Sequence, residues 1–95
     1  MQVTFHIPGA LREFTGGKSS VKVDLFGSTV ADTLEALWVS YPAVRDRVVN
    51  EQGQVRQHIN IFLGKENIRY TGGLTTPVNS GAEISIVPAV SGGRQ

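Results

Sequence analysis

Along the first residues of the chain Val3, Phe5 and Ile7 alternate with Gln2, Thr4 and His6, the period of a strand with one face buried. Pro8-Gly9 ends that strand. A second alternation sets Val21, Val23 and Leu25 against Ser20, Lys22 and Asp24, and Gly16-Gly17 ahead of it can supply the positive φ of a tight connection. The two segments read as an N-terminal hairpin, with Ala10 to Phe14 in a wide loop. Beyond Gly27 the period changes. Val30, Leu34, Leu37, Trp38 and Tyr41 fall at helical spacing, so the spacing predicts a helix from Val30 to Tyr41 with one apolar face. Ser28 or Thr29 can cap its start, Asp32 suits the positive end of its dipole, and Pro42 stops it.

The stretch from Ala43 to Gln57 carries Arg45, Asp46, Arg47, Glu51 and Arg56 around Asn50-Glu51-Gln52-Gly53, which suits a surface excursion tethered by a short helical turn at Val44, Val48 and Val49. Alternation returns with Ile59, Ile61 and Leu63 on one face and His58, Asn60 and Phe62 on the other. Gly64-Lys65-Glu66-Asn67 then turns the chain toward a short strand at Ile68-Arg69-Tyr70. Pro77 argues against a central strand between Leu74 and Val78. The last strand, Glu83 to Pro88, buries Ile84 and Ile86 and shows Ser85 and Val87. The economical way to cover these faces is an α+β fold: a mixed sheet of four to five strands with one main helix across one face.

Ninety-five residues make one domain, large enough to hide roughly 60–70% of the surface of the unfolded chain. Nine Lys and Arg stand against eight Asp and Glu with no block of like charge, so phosphate backbones and anionic membranes are poor partners. The absence of cysteine excludes a disulfide framework, a thiolate nucleophile and a zinc-thiolate site. The start of the chain lacks the basic and apolar stretches of a signal peptide, and no run approaches ~20 apolar residues. The expected location is cytoplasmic.

Candidate chemistry concentrates after the last strand. Gly92-Gly93 have no side chains, so they can thread a narrow slot and present an unhindered carboxyl group to another enzyme. A carboxylate is a poor electrophile, and activation requires a leaving group such as AMP. Displacement by sulfur would then give a thioacid, a nucleophile in a protein that has no cysteine.

The order of elements, with Ile86-Val87-Pro88-Ala89-Val90-Ser91-Gly92-Gly93 at the end, resembles the MoaD/ThiS family of ubiquitin-like (β-grasp) sulfur carriers. His58-Ile59-Asn60-Ile61 and Glu66-Asn67-Ile68-Arg69-Tyr70-Thr71-Gly72-Gly73-Leu74 bring it nearest to the cysteine-biosynthesis carriers of the CysO type. The resemblance implies a protein that is not itself an enzyme and binds no cofactor, while its partners use ATP and a sulfur donor. An E1-like activating enzyme would adenylate Gly93. A thiocarboxylate would follow, and a sulfur-accepting synthase, cysteine synthase-like or the molybdopterin-synthase large subunit, would receive the sulfur. Gly92 would keep the approach slim and Ala89, Val90 and Ser91 would form the lead. The five residues from Ala89 to Gly93 reach about 16 Å when extended. The division implied is a domain at 1–88, a tail at 89–93 and a removable extension at 94–95. Because Arg94-Gln95 follow Gly93, its carboxyl group is held in a peptide bond. The resemblance implies cleavage between Gly93 and Arg94 by a zinc-dependent protease of the JAMM type.

Other features have plainer readings. Thr15-Gly16-Gly17-Lys18-Ser19 has the ending of a phosphate-binding loop, but that pattern needs a glycine where Arg12 stands and a helix where a strand is expected. His6 and His58 lie on outward strand positions without ligand-spaced partners. Trp38 and Tyr41 belong to the core and its edge. Phe62 and Val87, on the face away from the helix, would leave apolar groups exposed as a partner surface. Arg45, Arg47, Arg56 and Arg69 are solvated charges or rim contacts for acidic partner residues. Three alternatives stay open: the small subunit of molybdopterin synthase, a modifier joined to lysines through Gly93, and a binding module with an inert tail.

Overall fold

A computed structural model describes residues 2–24 and 27–88 of the chain. The first alternation forms β1 (Gln2–His6), whose Val3 and Phe5 are buried, and the second forms β2 (Ser20–Asp24), antiparallel to it from Gln2 opposite Asp24 to His6 opposite Ser20. Leu25 lies outside the described residues. The last strand, β5 (Glu83–Pro88), lies parallel to β1 on its other side, with His6 opposite Ser85. Antiparallel to β5 runs β3 (Ile59–Leu63), from Ile59 opposite Pro88 to Leu63 opposite Ile84, and the short β4 (Glu66–Asn67) closes the edge. The sheet is mixed and five-stranded, in the order β2-β1-β5-β3-β4.

One face of that sheet is apolar because β1, β2, β3 and β5 alternate in the same phase. Val3, Phe5, Val21, Val23, Ile59, Ile61, Ile84 and Ile86 are all buried there, under the predicted helix, α1 (Val30–Ser40). Its Val30, Leu34, Leu37 and Trp38 are buried, and Tyr41, half-buried, closes it by donating its N–H to Leu37 O at 2.8 Å.

Of the two candidate caps Thr29 is the one used. Its Oγ1 accepts from Asp32 N at 3.3 Å, and Asp32 Oδ2 accepts in return from Ser28 N at 2.9 Å and Thr29 N at 3.1 Å. This is a reciprocal capping box with aspartate in the place usually held by glutamate. The backbone N–H of Ser28, then that of Thr29 and its hydroxyl, hold the Asp32 carboxyl below its ordinary pKa of 3.8. Gly27 makes the box possible. Its φ is +137°, and a Cβ there would lie 2.8 Å from Asp32 Cβ. Replacing Thr29 with alanine is expected to cost about 1 kcal/mol, read from the denaturant midpoint at neutral pH. A carboxyl whose pKa is lowered by folding stabilises above its unfolded value, and that contribution is lost as pH falls through the folded value. Asp32→Asn should therefore flatten the decline in stability below about pH 4, a change measurable by unfolding at both pH values.

Three segments differ from the sequence reading. The wide loop is a 3₁₀ helix, Gly9–Thr15, with Leu11 and Thr15 buried. Thr15 Oγ1 donates within 3.2 Å of Arg12 O and lies 2.9 Å from Lys18 O, and Gly16 at φ 67° ends the helix, so a hydroxyl and a glycine order what composition leaves open. The surface excursion contains a second helix, α2 (Pro42–Val48). Pro42 does not merely stop α1; it opens α2 at a first-turn position where a missing N–H costs nothing. Val44 and Val48 are then fully buried and Val49 nearly so, part of the core and more than a tether. Finally, the short strand is Glu66–Asn67, ahead of where alternation places it, and Ile68–Tyr70 is a 3₁₀ turn nucleated by Asn67 Oδ1 accepting from Arg69 N at 3.0 Å.

Candidate functional site at the root of the tail

Gly93, Gly92, Ser91, Val90, Ala89 and Arg94 lie outside the described residues. What the structure fixes is the root from which they continue. β5 is the central strand of the sheet, and its pairing with β1 stops at Ser85 while its pairing with β3 runs on to Pro88. Thr4 N donates to Ala82 O at 3.0 Å, so the even-numbered backbone groups of β5 face β1. On that side the final position is Pro88, which has no N–H, and the open edge cannot complete a ladder with an added strand. Pro88 thus guards the strand end from which the tail departs.

Two hollows flank Pro88. One, about 420 Å³, lies between the ends of β1 and β5 and is lined by His6, Arg12, Ser19, Ser85 and Val87. Arg12 Nε donates to Ile7 O at 3.1 Å, and His6 Nε2 sits 2.6 Å from Glu83 Oε1. The other, about 300 Å³, lies toward the helices and is lined by Leu11, Glu13, Phe14, Arg47, His58 and Ile59. The Arg47 guanidinium stands 4.9 Å from the centroid of the Phe14 ring.

On the sheet face away from the helices, Val87 stands opposite Asn60 and Phe62 opposite Ser85. Val87 is 41% exposed, as expected. Phe62 is only half-buried and so less open than its alternation implies, since Asn67 of β4 lies opposite it on the other side. The arginines are not simply solvated. Arg56 Nε donates to Asp46 O at 2.9 Å, Arg69 Nη2 donates to Gln57 O at 2.9 Å and Ile59 O at 3.3 Å, and Arg45 pairs with Asp46 at 3.6 Å.

The sequence reading missed the Arg56 and Arg69 clamps and the His6–Glu83 contact. The clamps depend on where loop carbonyls point, which residue type does not encode. The contact depends on the parallel register of strands from opposite ends of the chain. Gly16 and Gly17 have φ of 67° and 85° and lead into β2, so the segment Thr15 to Ser19 is a strand connection and not a phosphate loop. Gly72 and Gly73, at φ 119° and 63°, are turn glycines as expected. Among the described residues no three of His, Asp and Glu gather as metal ligands, and no helix is long and apolar enough to cross a membrane.

Residues 5–93 match the ThiS family. The chain is 35% identical over 95 residues to the sulfur carrier protein CysO of Mycobacterium tuberculosis, covering 98% of this chain and 100% of that protein. It is 36% identical over 78 residues to small archaeal modifier protein 1 of Haloferax volcanii, covering 81% of this chain and 85% of that protein. Among solved structures, a chain of the Amycolatopsis orientalis BexX/CysO complex superposes with a TM-score of 0.84 at 35% identity, covering 96% of this chain and 99% of that one.

Proposed function

The chain belongs to the ThiS family of ubiquitin-like sulfur carriers, and on that footing we propose that Gly93, freed of Arg94-Gln95, carries the sulfur. The observation that carries this reading is that the family match runs through to Gly93, leaving the two following residues beyond it. An activating enzyme binds the tail, and the Gly93 carboxylate attacks the α-phosphorus of ATP, releasing pyrophosphate and forming an acyl-adenylate. A sulfide-level sulfur nucleophile then displaces AMP and leaves a thiocarboxylate. That sulfur attacks an electrophilic carbon of a small acceptor held by a synthase. Hydrolysis of the acyl–sulfur bond returns the Gly93 carboxylate and frees the product, cysteine or a related sulfur metabolite.

The body supplies no reacting group in this scheme. It supplies a rigid strand end at Pro88, and ~16 Å of extended chain from Ala89 to Gly93 to enter a buried site. The exposed Val87 and the half-buried Phe62 beside it form the apolar contact for these enzymes, in the cytoplasm where ATP is available. The BexX/CysO complex supports docking of such a carrier on a partner protein. A JAMM-type protease makes the trimming cut.

The likeness to a small archaeal modifier protein favours one second reading, in which the activated Gly93 is passed to lysine amines. The two chemistries part at the product. Incubation of chain trimmed to Gly93 with its activating enzyme, ATP and sulfide is expected to replace one oxygen by one sulfur at the tail, and the untrimmed chain to remain unchanged. Uptake of AMP or sulfur by the untrimmed chain would overturn the requirement for trimming, and higher-mass lysine-linked adducts without any thiocarboxylate would favour the modifier.

A further inference from the structure

Three guanidinium groups gather on one side of the tail root. Arg47 stands over the Phe14 ring in the hollow that Pro88 also lines. Asp46, the residue before it, offers the carbonyl that holds Arg56, and the Arg56 carbonyl accepts from Ile59 N at 2.9 Å. Arg69 holds Gln57 O and Ile59 O, and Ile59 is the β3 residue opposite Pro88. Each cation is therefore steered by a neutral group, a ring or a backbone carbonyl, and kept within reach of the strand end from which the tail leaves.

None of the three is neutralised by a neighbour. Among the described residues the close contacts between basic and acidic side chains are His6–Glu83 and Arg45–Asp46, and neither includes Arg47, Arg56 or Arg69. Glu13 alone among the acidic residues lines the same hollow. The opposite end of the sheet carries both signs. Asp24, Glu66 and Glu83 sit at the pair positions of Gln2, Leu63 and Thr4, with Lys22 also opposite Thr4 and Lys65 beside Glu66. The three guanidinium groups thus give the Pro88 end of β5 a local positive charge.

We infer that Arg47, Arg56 and Arg69 form a docking collar for carboxylates that ring the tail-admitting slot of the activating enzyme. This rests on the reading of Gly93 as the activated residue. A guanidinium already held by one edge loses little side-chain freedom when its remaining N–H groups meet a carboxylate, and complementary rims act mainly on the rate of encounter. Tyr70, which follows Arg69, is 86% exposed and offers a ring on which a base can stack, so a nucleic-acid partner is separated from a carboxylate partner by experiment.

The test compares the trimmed chain with the triple variant Arg47→Gln, Arg56→Gln and Arg69→Gln, which removes the three charges and keeps a polar amide at each position. Association with the activating enzyme is followed by stopped flow at ionic strengths of roughly 0.01 M and 1 M, where charges are screened over about 30 Å and 3 Å. The wild-type chain should associate about tenfold or more faster at low salt, the difference should vanish at high salt, and adenylation at saturating carrier should be unchanged. Equal salt slopes would overturn the collar, as would failure of the wild-type chain to associate. Binding of duplex DNA or RNA at low salt that the triple variant loses would also overturn it, by making phosphate the partner. Arg47→Glu, which disturbs no carbonyl contact, supplies a second reading should the triple variant unfold. Association is read apart from chemistry, so a chain that binds but takes no AMP defeats the reading of Gly93 and leaves the collar standing.

Discussion

A chain ending at Ser91 is expected to unfold at the same temperature as one ending at Gly93 and to take no AMP from the activating enzyme. The two halves of that result have separate causes. Among the described residues the buried core ends at Ile86 and the sheet at Pro88, and Gly92 and Gly93 have no side chains to contribute to it, so their removal is expected to leave the body's packing unchanged. Chemistry depends on reach instead. Two fewer extended residues leave the carboxylate about 7 Å short of the phosphorus it must attack. A misplacement of ~1 Å already costs on the order of a hundredfold, so loss should be complete within detection. Melting curves and an assay of ATP–pyrophosphate exchange read the two halves independently. Retained adenylation in the shortened chain would remove Gly93 from the account.

The second large effect falls on the body. Phe5→Ala should destabilise the chain by about 3–5 kcal/mol, because Phe5 is fully buried on β1, between β2 and β5, and the cavity left behind cannot collapse between paired strands. A domain of this size has roughly 5–15 kcal/mol of stability in all. Its melting temperature should fall by about 4–8 °C for each kcal/mol lost. Val39→Ala is the control: Val39 is 84% exposed on α1 and its truncation should stay within about 0.5 kcal/mol. A Phe5→Ala variant as stable as the control would mean that the sheet face assigned to the core is not the one buried.

What could be read in the sequence was whatever a local period encodes. The buried sets Val3-Phe5, Val21-Val23, Ile59-Ile61 and Ile84-Ile86, together with the stripe from Val30 to Trp38, all follow from periods of two and of 3.6, and all are buried. Boundaries that depend on single hydrogen bonds escaped. The Thr15 hydroxyl that orders Gly9–Thr15, the Asn67 amide that turns Ile68–Tyr70, and Pro42, which both ends α1 and opens α2, are each decided by one group with two possible uses. At the site, the place of Val87 on the open face was legible from alternation, while the half-burial of Phe62 needed β4 beside it. The arginine clamps could not be read at all, since a carbonyl is present at every residue and only the folded loop selects Asp46, Gln57 and Ile59. The tail residues were singled out by the chemistry of a side-chain-free end and by the family resemblance, and their proposed role is tested in solution.

The most direct measurement is the intact mass of the protein isolated from the cell that makes it. The account predicts a chain that ends at Gly93, a fraction of which carries sulfur in place of one carboxyl oxygen. Protein found only with Arg94-Gln95 still attached, yet bearing AMP or sulfur, would contradict it.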